Sequence, residues 1–204
     1  MAEETVQKEE EPSSEISVFN DPFLEPCERE LLGFVLNYGQ EPLKFDRDSE
    51  LYTEEYCSVA DFIDGCLADD DEEFINDIYR DIFEEYFEYY QKGIGHAGIT
   101  SMMMNGEDRK IADAVADIMI PKHVLTIQNY IDSMTAEESM LAMYVPKAVL
   151  AYKARRMEKR MNELINSLSS ASETEEEEIM REMSALHATR NGILKRLGRG
   201  IANK

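Results

Sequence analysis

From Lys147 to Gly198, apolar residues recur at alternating steps of four and three. Leu150, Ala154, Met157, Met161, Leu164 and Leu168 form one run, and Ile179, Met183, Leu186, Ile193 and Leu197 form a second, interrupted by Arg190. This is the seam spacing of one helix lying along another. Between the runs, Ser169-Ser170-Ala171-Ser172-Glu173-Thr174 has no apolar anchor and is rich in turn formers. Ser172 with Glu175, or Thr174 with Glu177, makes a capping box that opens the second helix. Gly198 stands where a C-terminal cap belongs. The pattern predicts an antiparallel hairpin roughly 35 Å long at ~1.5 Å per residue. Its half-buried seam positions, at ~1–1.5 kcal/mol each, offset only part of the ~1–2 kcal/mol per residue that ordering costs. Such a hairpin needs another surface. Self-association as a coiled coil and docking onto a different protein both fit.

The preceding sequence reads as a helical bundle over 25–146, with residues 1–24 as an acidic linker that buries too little apolar surface to order itself. A first helix is expected from Pro26 to Tyr38, with Leu31, Leu32, Val35 and Leu36 inward, Glu28 at its positive end and Gly39 as its stop. Residues 40–57 read as irregular, with room for a short strand near Leu43 to Phe45. Ser58 with Asp61 opens a second helix. The run Asp69 to Glu73 lacks the glycine and terminal glutamate of a calcium loop, and is expected to open a helix over about 73–91. In that helix Ile75, Ile78, Tyr79, Ile82, Phe83, Tyr86, Phe87 and Tyr90 make a wide apolar stripe. Gly93, Gly95 and Gly98 break the chain before a short helix through Met102 to Met104. Another helix covers about 108–119. Val124, Leu125, Ile127 and Ile131 continue the core, and Thr135 with Glu138 caps a short helix that ends before Pro146. The junction Val145-Pro146 is the expected boundary between bundle and hairpin, the hairpin subdomain being 147–204.

Charge narrows the function. The net charge is −22. Twelve Lys and Arg against eight Asp and Glu fall after residue 146, a net of +4, which leaves −26 on the rest. A body this acidic repels phosphates, so direct nucleic-acid binding by the bundle is not expected. No apolar run approaches ~18 residues, so no transmembrane helix is expected, and the three cysteines, Cys27, Cys57 and Cys66, read as reduced thiols of a cytoplasmic protein. His96, His123 and His187 are scattered, and no HExxH, GxxxxGK[ST] or GxSxG motif is present. No catalytic residue, cofactor site or metal site is expected. Two stretches suit a partner. One is the basic cluster Lys153, Arg155, Arg156, Lys159 and Arg160, which reads either as solvated helix positions partly paired with Glu158 and Glu163 or as a surface that meets an acidic partner. The other is the C-terminal end, where Ile193, Leu194, Leu197 and Ile201 form apolar surface rimmed by Lys195, Arg196 and Arg199, which either docks a partner or packs back on the chain's own bundle.

Several stretches are similar to a known family. Glu28-Arg29-Glu30-Leu31-Leu32-Gly33-Phe34-Val35-Leu36-Asn37-Tyr38-Gly39 resembles the first helix of the C-terminal region of bacterial DnaG-type DNA primases. Ser58-Val59-Ala60-Asp61-Phe62-Ile63 and Ile78-Tyr79-Arg80-Asp81-Ile82-Phe83-Glu84-Glu85-Tyr86 resemble the next two, and Val145-Pro146-Lys147-Ala148-Val149-Leu150-Ala151-Tyr152-Lys153 resembles the start of the terminal hairpin. The resemblance covers about 25–200 and lies nearest the versions of Bacteroides-like bacteria. It implies a helicase-binding domain whose hairpin docks on the N-terminal domain of the replicative DnaB-type helicase. It also implies that primer synthesis and its zinc and metal sites belong to other domains of such a primase. A free-standing acidic adaptor that self-associates through its hairpin, and a carboxylate-rich metal-dependent enzyme, are the competing readings.

Overall fold

The computed structural model describes residues 21–119 and 137–198, with side chains from 140 onward in the second stretch. The fold is all-helical. Among the described residues there are seven helices and no strand: α1 Glu25–Tyr38, α2 Val59–Ala68, α3 Asp77–Gln91, α4 His96–Met104, α5 Arg109–Met119, α6 Glu137–Leu168 and α7 Glu173–Arg196. Where a short strand was expected, one isolated bridge joins Pro42 and Ser58. The expectations for residues 1–20, for Val124 to Ile131, for the Thr135 cap and for Ile201 lie outside the described residues.

α1 is the hub, packing on α2, α3, α5 and α6, while α4 fills the space beside α3 and α5. Its face Leu31, Leu32, Val35 and Leu36 is fully buried against Ile63, Ile82, Tyr86, Ile99 and Val115. The α3 stripe supplies tilted ring contacts, with Phe83 centred 4.9 Å from Phe87 and 5.0 Å from Phe74 in the preceding loop. Ser58 and Asp61 form the expected capping box of α2, and Ser172 with Glu175 forms that of α7. Gly198, at φ 69°, adopts the left-handed geometry expected after a helix end. Gly98, read as a breaker, lies inside α4, which begins at His96.

The proline at 146 does not end a helix. α6 runs for 32 residues straight through it. Leu141, Val145, Ala148, Val149 and Tyr152 line one face on both sides of the proline and are all buried. Burying five such side chains at ~1.5–3 kcal/mol each outweighs the ~3 kcal/mol that an interior proline costs. The hairpin's first helix is therefore rooted in the core.

The acidic run at 69–73 likewise does not open α3. Asn76 caps that helix, accepting from the Tyr79 N–H at 3.2 Å. The anion at its N-terminus comes from α1: the fully buried Glu28 accepts from the Ile75 N–H at 2.6 Å and the Asn76 N–H at 3.1 Å. The acidic run is left in the connecting loop, free to meet α6.

Candidate interaction surface on the hairpin

α7 packs chiefly on α6. Arg160 pairs with Glu182 at 2.8 Å and Glu158 with Arg190 at 3.1 Å, which fixes an antiparallel register. Ala154, Leu164 and Ile193 are buried, and Met157, Met161, Leu168, Ile179, Met183, Leu186 and Leu197 are half-buried, as a two-helix seam allows. Arg190, which interrupts the apolar spacing, turns inward to Glu158, and its Nε is buried with no hydrogen-bond partner.

The basic cluster is spent inside the chain. Lys153 meets Asp70 at 2.6 Å and Arg156 meets Glu72 at 3.2 Å. Arg156 also donates to the Glu73 carbonyl at 2.7 Å and to the Tyr152 hydroxyl at 3.0 Å. Arg155 lies over the Phe23 ring at 3.8 Å and donates to the Phe23 carbonyl at 3.3 Å. Lys159 pairs with Asp21, and Arg160 bridges to Glu182 on α7. Burial pushes the Glu72 carboxyl above its ordinary value, with Arg156 pulling the other way. Burial likewise raises the Tyr152 phenol. The cations singled out in the sequence thus share one helix, and their charges already face the acidic loop, the segment before α1 and α7.

The described part of the C-terminal end, up to Gly198, is partly covered. Ile193 is buried and Leu194 and Leu197 are half-buried; Lys195 is exposed, and Arg196 reaches Glu50 at 2.9 Å. Large apolar side chains are exposed on the bundle, Tyr56 at 68% among them, and on the hairpin they lie toward the tip. Ile165 and Met180 are 51% and 59% exposed. Each follows a seam residue, Leu164 and Ile179. In an antiparallel pair the residues one step past the seam turn toward the same side. The register set by Arg160–Glu182 and Glu158–Arg190 places Ile165 across from the stretch centred on Met180. Around them stand the exposed Glu173, Glu175, Glu176, Glu177 and Glu178. A cleft of about 330 Å³ between Leu164 and Ile179 opens beside the turn. Sequence reasoning passed over Ile165 and Met180 because they break the seam rhythm, although an apolar residue off the seam was itself a signal.

Among the described residues, no three His, Cys, Asp or Glu side chains converge as a metal ion would require. Within the same residues, no helix is long and apolar enough to cross a membrane. Cys27, Cys57 and Cys66 are half-buried thiols, none of them in a disulfide.

No curated protein and no solved structure matches the chain. A family model described as "Domain of unknown function (DUF8430)" matches residues 8–201, nearly the whole chain, and the chain belongs to that family.

Proposed function

We propose that this chain is the helicase-binding domain of a DnaG-type primase, which docks on the N-terminal domain of a replicative DnaB-type helicase and works in the cytoplasm without catalysing a reaction itself. The observation that carries the reading is the hairpin's outer half. It extends past the core and exposes Ile165 and Met180, which the helix register puts on one side of the hairpin. The sequence resemblance along 25–200 supplies the partner. The acidic bundle agrees with a module that acts on protein rather than on DNA. The glutamates beside the apolar pair favour a partner with basic residues around an apolar groove, and they disfavour pairing with a second copy.

Titration calorimetry of the chain against the helicase N-terminal domain tests this. Ile165→Asp with Met180→Asp is expected to weaken binding by more than ~2 kcal/mol, as loss of anchor residues does. Leu194→Asp, at the partly covered end, should act through stability instead. Absence of any complex with the unmodified chain would refute the proposal, and a particle of twice the monomer mass in light scattering would favour the self-associating adaptor.

A further inference from the structure

The body holds α6 in two different ways along its length. Up to Tyr152 the hold is apolar, with Leu141, Val145, Ala148, Val149 and Tyr152 all part of the main core. Beyond Tyr152 no apolar α6 side chain joins that core or packs against it; Ala154 and Leu164 are buried but stand outside it. From there Met157 still lines a cleft with Leu24 and Ile75, but most of the hold passes to charge. Lys153–Asp70 and Arg156–Glu72 come from the loop between α2 and α3, and Lys159–Asp21 comes from the segment before α1. Phe23, next to Asp21, lies under the Arg155 guanidinium. Both acidic segments are non-helical and anchored on the bundle: Leu24 is fully buried, and Glu28 holds the Ile75 and Asn76 amides at the end of the loop.

We infer that the loop at 69–73 and the segment at 21–24 form a charge clasp on the middle of α6, so that the hairpin beyond Tyr152 is an arm which ionic strength can release while the bundle stays folded. The pairs differ in exposure: Asp70 is 46% and Lys159 26% open, whereas Glu72, at 17%, and Asp21, at 14%, are largely covered, so screening acts most at Lys153–Asp70 and less at the other two. The Debye length falls from about 10 Å to about 3 Å between 0.1 M and 1 M salt. Apolar packing is not weakened by the same change, because screening acts on charges alone. Salt therefore separates the two holds. Burial pushes the Asp21 carboxyl up, yet its bonds to Lys159 and to the Phe23 amide outweigh that and leave it below its ordinary value, as a charged pair requires. The inference goes beyond helicase docking and stands without it.

Hydrogen exchange of the full chain, read by mass spectrometry at about 0.1 M and about 1 M NaCl, tests the clasp. Amides of 153–168 and 173–196 are expected to exchange about tenfold faster in high salt, with α3 unchanged. Asp70→Asn with Glu72→Gln should reproduce that at low salt. Asp70→Lys with Lys153→Asp should restore most of the protection. Asp21→Asn, which leaves the loop intact, gives a smaller shift in the same direction and serves if the loop variant does not fold. Equal protection of the arm at both salt levels, or a rise of the same size in α3, overturns the inference.

Discussion

Glu28 offers the sharpest test of how this fold is held together. Its carboxylate is fully buried and accepts from two backbone amides, Ile75 at 2.6 Å and Asn76 at 3.1 Å, and from the Tyr152 hydroxyl at 3.3 Å. Three segments distant in sequence converge on one side chain: α1, the start of α3 and the middle of α6. Glu28→Ala leaves both amides without an acceptor. Each buried donor stranded in this way costs about 1–3 kcal/mol, and the void left by the side chain adds to it. A loss of about 3–6 kcal/mol is expected, a large share of the stability of a domain this size. Glu28→Gln keeps one acceptor oxygen but turns an amide donor toward the other N–H, and about 2 kcal/mol should be lost. Tyr152→Phe should cost only about 1 kcal/mol. Glu28 then still holds both amides, and the Glu73 carbonyl keeps its bond from Arg156 at 2.7 Å. Urea unfolding followed by circular dichroism should rank the variants Ala, Gln, Phe in decreasing cost with a common m-value. The double variant Glu28→Gln with Tyr152→Phe should be non-additive, since the two groups touch. If Glu28→Ala lost less than about 1 kcal/mol, the claim that this carboxylate joins the three segments would be wrong.

Two further outcomes follow from the other end of the bundle. Gly39 has right-handed backbone geometry, so its smallness answers a close approach rather than a turn: a Cβ there would overlap the Tyr86 hydroxyl and the Val35 carbonyl. Gly39→Ala should therefore lower the urea midpoint by an amount equivalent to about 1–3 kcal/mol, as overpacking does. His96 holds the Tyr86 hydroxyl 3.0 Å from its Nδ1, and burial sets its pKa below 6.5 in spite of the backbone carbonyls of Asn37 and Leu36 and the charge of Glu41. The unfolded chain thus takes up this proton first as pH falls. Stability from His96 is complete above about 6.5 and is lost as pH drops from there through the folded value, at no more than ~1.4 kcal/mol per pH unit. His96→Gln should flatten the urea midpoint between pH 7 and pH 5.5, and an undiminished slope in that variant would assign it to other groups.

The all-α class, α1 with its inward face, the α3 stripe, both capping boxes and the seam of the last two helices were all legible in the sequence. Each rests on periodicity or on contacts between residues three or four apart, which the chain writes in its own order. Three features were not legible, and all of them turn on partners distant in sequence. Pro146 reads locally as a helix end, but burial of Val145, Ala148, Val149 and Tyr152 on either side carries α6 through it. Glu28 reads as the anion of its own helix, but its carboxylate also accepts from the Ile75 and Asn76 amides just ahead of α3, 47 and 48 residues away. The cluster from Lys153 to Arg160 reads either as solvated positions paired with Glu158 and Glu163 or as a surface for an acidic partner; the structure has those local pairs and adds Asp21, Asp70, Glu72 and Glu182, which no local pattern announces. Only the tertiary structure could show those distant partners, and it also shows Ile165 and Met180 as exposed apolar side chains near the hairpin tip. The physical reason is one of range. Helix propensity, capping and amphipathic spacing act within about one turn, whereas the pairing of a charge depends on which distant segment the packed core brings within about 4 Å of it.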